Sequence, residues 1–219
     1  MKEFKRNYYF LIYLFLLVIT FITTALCFIF YKMPVLPILV SLIIIIVGIY
    51  FVWLKKLSKR NLYFNNILNL LAANIIAYFL VHYLIKYQST IIGMILSIAF
   101  MDVLSFTKRG KNTLNAKLIG NINTMTRLSI CLPIPGNPGL QQIIGVGDLL
   151  YYSIITMFYL KSGGRSAGLH AAMLILIGQL VNIIAIQVLK RVQKEHYKGF
   201  PATLFPGVYI IIATIFQFI

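Results

Sequence analysis

Two aspartates lie inside apolar stretches of this 219-residue chain. Asp148 follows two glycines in Gln141-Gln-Ile-Ile-Gly-Val-Gly-Asp-Leu-Leu-Tyr-Tyr-Ser153, and Asp102 ends Leu96-Ser-Ile-Ala-Phe-Met-Asp102. An ionisable group at membrane depth is disfavoured by at least about 2 to 3 kcal/mol, so it marks a functional site by default. Two carboxyls held together share one proton and can activate water, as in proteases built on two aspartates. The chemistry expected from this pair is hydrolysis of a peptide bond within the bilayer.

The rest of the acidic inventory sharpens that expectation. The chain has four acidic residues in all: Glu3, Asp102, Asp148 and Glu195. Glu3 lies at the terminus and Glu195 in a basic loop, where both read as solvated charges. No lysine or arginine falls within the apolar runs around Asp102 and Asp148 to neutralise them. Two like charges in a low dielectric resist joint ionisation, so the pair is expected to hold one proton between them.

The elements that must position these carboxyls are membrane helices. Hydrophobic residues make up 60% of the chain, charged residues 11%, and the mean hydropathy is +0.90. This composition excludes an ordinary soluble domain. A net charge of +16 could point to nucleic acid. The basic residues instead cluster between apolar runs, as in membrane proteins, and no nucleic-acid partner is expected. The predicted fold is all-α and polytopic, with about seven transmembrane helices near 8–31, 34–54, 63–85, 89–107, 141–160, 167–189 and 201–219. The first run follows Lys2, Lys5 and Arg6 as in a signal peptide, but it is too long for one and is read as a span.

Basic residues also predict orientation. With the amino terminus in the cytoplasm, the cytoplasmic segments hold three, four, five and four basic residues, sixteen of the chain's twenty. The opposite side holds only Lys32, Lys86, Lys161 and Arg165. The carboxyl terminus is then extracytoplasmic, and an integral protein of the cell membrane is expected. In this arrangement Asp102 and Asp148 each lie roughly 9 Å below the cytoplasmic boundary at the helical rise, so they share a depth.

Several nearby residues are candidates for the same site. Gly145 and Gly147 leave room for a substrate backbone beside Asp148, or for a packed helix. Tyr151 and Tyr152 fall three and four positions after Asp148 on its helical face, where they either orient the carboxyl and shape a groove or pack between helices. Pro201-Ala202-Thr203 opens the last span on the side of the aspartates, and Pro206-Gly207 loosens the same helix end. The connection 108–140 ends in a proline-rich stretch that reads as an interfacial loop or a lid over the pair. Gly168 and Ala172 form a small-xxx-small pair for helix packing. His82, His170 and His196 are scattered, and Cys27 and Cys131 form no metal spacing, so neither a metal nor another cofactor is expected. A serine-nucleophile signature is absent.

Taken together, Met101-Asp102, Gly145-Val146-Gly147-Asp148 and Pro201-Ala202-Thr203 resemble the motifs of the presenilin and signal peptide peptidase family. That family carries Tyr-Asp, Gly-x-Gly-Asp and Pro-Ala-Leu in three successive positions. Tyr152-Ser153 is also presenilin-like. The resemblance covers roughly residues 89–219. Methionine stands in place of the first tyrosine and threonine in place of the leucine, and seven spans stand where the family has nine.

The resemblance implies a scaffold of three helices over 1–88. It also implies a presenilin-like catalytic core over 89–219, with the cytoplasmic loop 108–140. Asp102 and Asp148 would be catalytic, and Gly145, Gly147, Tyr152, Pro201, Ala202 and Thr203 would contact substrate. The implied partners are transmembrane protein substrates within the lipid bilayer, while homo-oligomers and accessory subunits stay open. Two rival readings remain: a prepilin-type peptidase, which also uses Gly-x-Gly-Asp, and a proton-coupled transporter with the aspartates as relay groups.

Overall fold

The computed structural model describes residues 2–55, 58–105, 121–133, 140–193 and 201–216. Its elements in order are α1 (Lys2–Phe30), α2 (Val35–Leu54), α3 (Lys59–Phe79), α4 (Gln88–Ser105), α5 (Ile122–Arg127), β1 (Ser129–Pro133), β2 (Leu140–Gly145), α6 (Val146–Gln193) and α7 (Leu204–Ile215). α3 widens into a π-turn over Leu80–Leu84 before it ends. The fold is therefore dominated by helices. Five stretches are long and apolar enough to cross a bilayer: Phe10–Phe30, Val35–Leu54, Lys59–Leu84, Gln88–Ser105 and Val146–Leu189.

The last of these is 44 residues long. A straight helix of that length would reach about 66 Å, twice the thickness of a hydrocarbon core. It is interrupted at Gly164, whose φ of 72° and ψ of −162° are not helical. Only glycine adopts that region readily, because a Cβ there meets the backbone. The predicted span 167–189 and the part of 141–160 from Val146 onward fall within α6, on either side of this break.

The first half of α6 is the centre of the molecule. Every residue from Tyr151 to Leu160 is buried. A helix that is apolar on all sides must be enclosed by other elements. α1, α3 and α7 all pack against α6, while α2 packs on α3 at the periphery.

Two boundaries differ from the sequence expectation. Residues 141–145 are strand, not the start of a helix, because β2 pairs antiparallel with β1 in a two-stranded sheet. The helix starts at Val146, so Asp148 lies in its first turn. The other difference is α7, which covers 12 residues rather than the whole of 201–219. At the helical rise this is about 18 Å, short of a full crossing. Most of the expected 108–140 loop, at 108–120 and 134–139, lies outside the described residues. Its described parts form α5 and the hairpin.

The hairpin is anchored by asparagines that the apolar pattern of α3 conceals. Asn66 donates from Nδ2 to the Cys131 carbonyl at 2.6 Å and accepts from the Cys131 N–H at 2.9 Å. Its side-chain amide thus pairs with β1 as a neighbouring strand would. Asn65 and Asn69 both donate to the Arg127 carbonyl, at 2.7 and 2.8 Å. Arg127 in turn donates to the Val52 and Lys55 carbonyls at 3.0 Å each, satisfying the end of α2.

Gly164→Ala should destabilise the fold by about 1 to 3 kcal/mol, since alanine must occupy a glycine-only conformation. The control is Gly93→Ala on α4, where an added Cβ meets nothing within 4 Å. Thermal unfolding in detergent should show a fall in Tm for the first and no fall for the second.

Candidate active site

Both aspartates sit at helix ends. Asp102 is in the last turn of α4, and Asp148 is the third residue of α6. Both are half-buried, and their carboxyls interact electrostatically with one another.

Asp148 is held by its own helix start. Its Oδ2 accepts the Gly145 N–H at 3.3 Å. This is the returning half of a capping box, in which an acidic side chain at the third helical position bonds the backbone of the capping residue. The turn is also where a helix best tolerates negative charge. Gly145 therefore has a backbone role, and an added Cβ there would stand 3.3 Å from the Asp148 carboxyl. Gly147 is exposed, and an added Cβ there would meet nothing within 4 Å. One flank of Asp148 is thus open.

Asp102 is held from the far end of the chain. Thr203 donates from Oγ1 to Asp102 Oδ2 at 2.5 Å. The Thr203 hydroxyl is thus the donor that meets this carboxylate oxygen. Pro201 and Thr203 are buried and Ala202 is half-buried. Their backbone is fixed by three polar side chains from α6. Tyr152 donates its hydroxyl to the Ala202 carbonyl at 3.1 Å, Asn182 donates to that same carbonyl, and Gln179 donates to the Tyr152 hydroxyl.

Tyr152 and Asp148 share a face of α6, so this network joins the helix of one aspartate to the partner of the other. Of the sequence candidates, Asp148 and Gly145 come together, and so do Asp102, Thr203, Ala202 and Tyr152. Pro201 enters through its neighbours, and Gly147 stays outside both groups.

Gln179 and Asn182 were not singled out from sequence. Their signal was available: two amides three residues apart in an apolar run, on one helical face. Both are buried. Gly178 beside them permits the approach of α7, since an added Cβ would lie 2.5 Å from the Pro206 backbone.

Tyr151 is the remaining notable group. It is only 1% exposed, and its hydroxyl has no hydrogen-bond partner among the described residues. That hydroxyl lies within electrostatic range of both aspartates. It fills the space left by Gly207, where an added Cβ would come within 2.5 Å of it. A buried hydroxyl without a partner is disfavoured by roughly 1 to 3 kcal/mol. No three histidines, cysteines or acids gather as a metal cage among the described residues.

No family model, curated protein or solved structure matches the chain.

Thr203→Val removes the donor to Asp102 at nearly constant volume. It should lower stability by about 1.5 to 3 kcal/mol, the range for hydrogen bonds to charged groups, while Thr203→Ser should lower it by much less. Reversible unfolding in mixed micelles compares the two.

Proposed function

We propose that the chain is an intramembrane aspartic endopeptidase that cleaves transmembrane helices at an Asp102/Asp148 pair. The observation that carries this reading is that Asp102 and Asp148, each at the end of an apolar helix, are each given a hydrogen-bond donor, Thr203 Oγ1 and the Gly145 N–H. One carboxylate takes a proton from water as the water oxygen bonds to the scissile carbonyl carbon. The other aspartate, protonated, gives its proton to the carbonyl oxygen. The resulting diol collapses as the amide nitrogen receives a proton and the C–N bond breaks, leaving a carboxyl and an amine. The coupled pair shares these roles without a fixed assignment.

The similarity of the three motifs to the presenilin and signal peptide peptidase family supports the same reading. In this reading the distribution of basic residues favours a cytoplasmic amino terminus and an extracytoplasmic carboxyl terminus.

A substrate helix must unwind before its peptide bond is exposed, and its freed backbone groups need partners inside the bilayer. β1 is occupied on one side by β2 and on the other by Asn66. The outer edge of β2 has no backbone partner among the described residues, and it runs directly into Gly145 and the open flank at Gly147. Strand addition there would bring an extended segment to Asp148. Tyr151 would donate to the developing oxyanion.

Asp102→Asn and Asp148→Asn each keep an acceptor for the donors described above, so both should fold. Each should lower cleavage of a tagged transmembrane peptide by at least about a hundredfold, the usual weight of acid–base chemistry. Cleavage at the wild-type rate in either variant would falsify the proposal. Tyr151→Phe tests the last element. Loss of an unpartnered hydroxyl should leave Tm unchanged or higher, while kcat falls. Unchanged kcat would assign Tyr151 to packing alone.

A further inference from the structure

Away from the aspartates, a cavity of about 730 Å³ opens between α1 and the break in α6 at Gly164. Its shaft is apolar, with Phe21 and Phe28 on one wall and Met173 and Leu176 on the other. Ala25 and Ala172 leave it room. Its volume falls within the range of roughly 300 to 1,000 Å³ typical of sites for small ligands.

The mouth has a different character. Lys32, Lys161 and Arg165 all line it, and all three are exposed. They are three of the four basic residues that the charge pattern assigns to the side away from the cytoplasm. Cations are sparse on that side of membrane proteins, so their convergence from two separate segments calls for a ligand. None of the four acidic residues of the chain is among the lining. Lys161 is also pre-positioned, because its ammonium donates to the Val81 carbonyl at 2.7 Å and to the His82 carbonyl at 3.4 Å.

The depth fits one leaflet. From Lys32 back to Phe21, and from Arg165 on to Leu176, the walls span twelve residues each, or eleven steps. At the helical rise that is about 16 Å, half of a hydrocarbon core about 30 Å thick. We propose that this cavity binds an anionic phospholipid of the surrounding bilayer. One acyl chain fills the shaft, and the phosphate headgroup sits on Lys32, Lys161 and Arg165. Three cations without a carboxylate favour a net negative headgroup over a zwitterionic one. The site is remote from the aspartates and does not depend on proteolysis.

Ligand binding to the folded state raises its stability, so the test is thermal. The purified protein is unfolded in neutral detergent with added dioleoyl phosphatidylglycerol, dioleoyl phosphatidylcholine or inorganic phosphate. Phosphatidylglycerol should raise Tm by several degrees more than phosphatidylcholine, and phosphate alone should not raise it. Lys32→Gln and Arg165→Gln change exposed side chains and should each reduce the phosphatidylglycerol shift. Lys161 is spared because it also supports α3. The shift should be the same in Asp102→Asn, which separates this site from any failure of the protease reading. Equal shifts with both lipids, a full shift with phosphate alone, or an undiminished shift in both glutamine variants would each overturn the proposal.

Discussion

A carboxyl group surrounded by hydrocarbon is tolerable only where donors are ready for it, and this requirement shapes the structure around both aspartates. A helix interior offers none, because its N–H groups are all engaged. Helix ends do, and both aspartates are found there. Asp148 takes the N–H of Gly145, which is free because β2 gives way to helix at that point. Asp102 lies where α4 is about to stop, and its donor is a side chain delivered by another segment. Each placement exposes one face of the carboxyl while satisfying another.

The same requirement explains the amides. Pro201-Ala202-Thr203 precedes α7 and has backbone groups that no helix satisfies. Tyr152 and Asn182 both donate to the Ala202 carbonyl, with Gln179 behind Tyr152. On the other side of the molecule, the asparagines of α3 do this for the hairpin. Strands at a membrane surface would otherwise present unpaired groups to lipid, which is strongly disfavoured. These two stretches of irregular backbone each have their own set of amide side chains.

Much of this was legible in the sequence, for identifiable reasons. Apolar runs near the length of a bilayer gave the helices, and Asp102 and Asp148 stood out because charge is so rare among them. Gly164 did not stand out, since Ser162-Gly-Gly-Arg165 looks like any polar turn between spans. The start of α6 was set too early because Gln141-Gln-Ile-Ile-Gly145 is as apolar as a helix end, and nothing local reveals that β1 lies alongside. The donor role of Thr203 was hidden for another reason. In sequence it was a candidate substrate contact, and only its bond to Asp102 shows where the hydroxyl is directed. The asparagines of α3 were missed because a hydropathy window averages them with their apolar neighbours.

The bond from Thr203 to Asp102 joins residues 101 positions apart. A ribosome feeding this chain into a membrane releases Asp102 long before it releases Thr203. The nascent protein therefore carries the Asp102 carboxyl without this bond until the segment before α7 has been made.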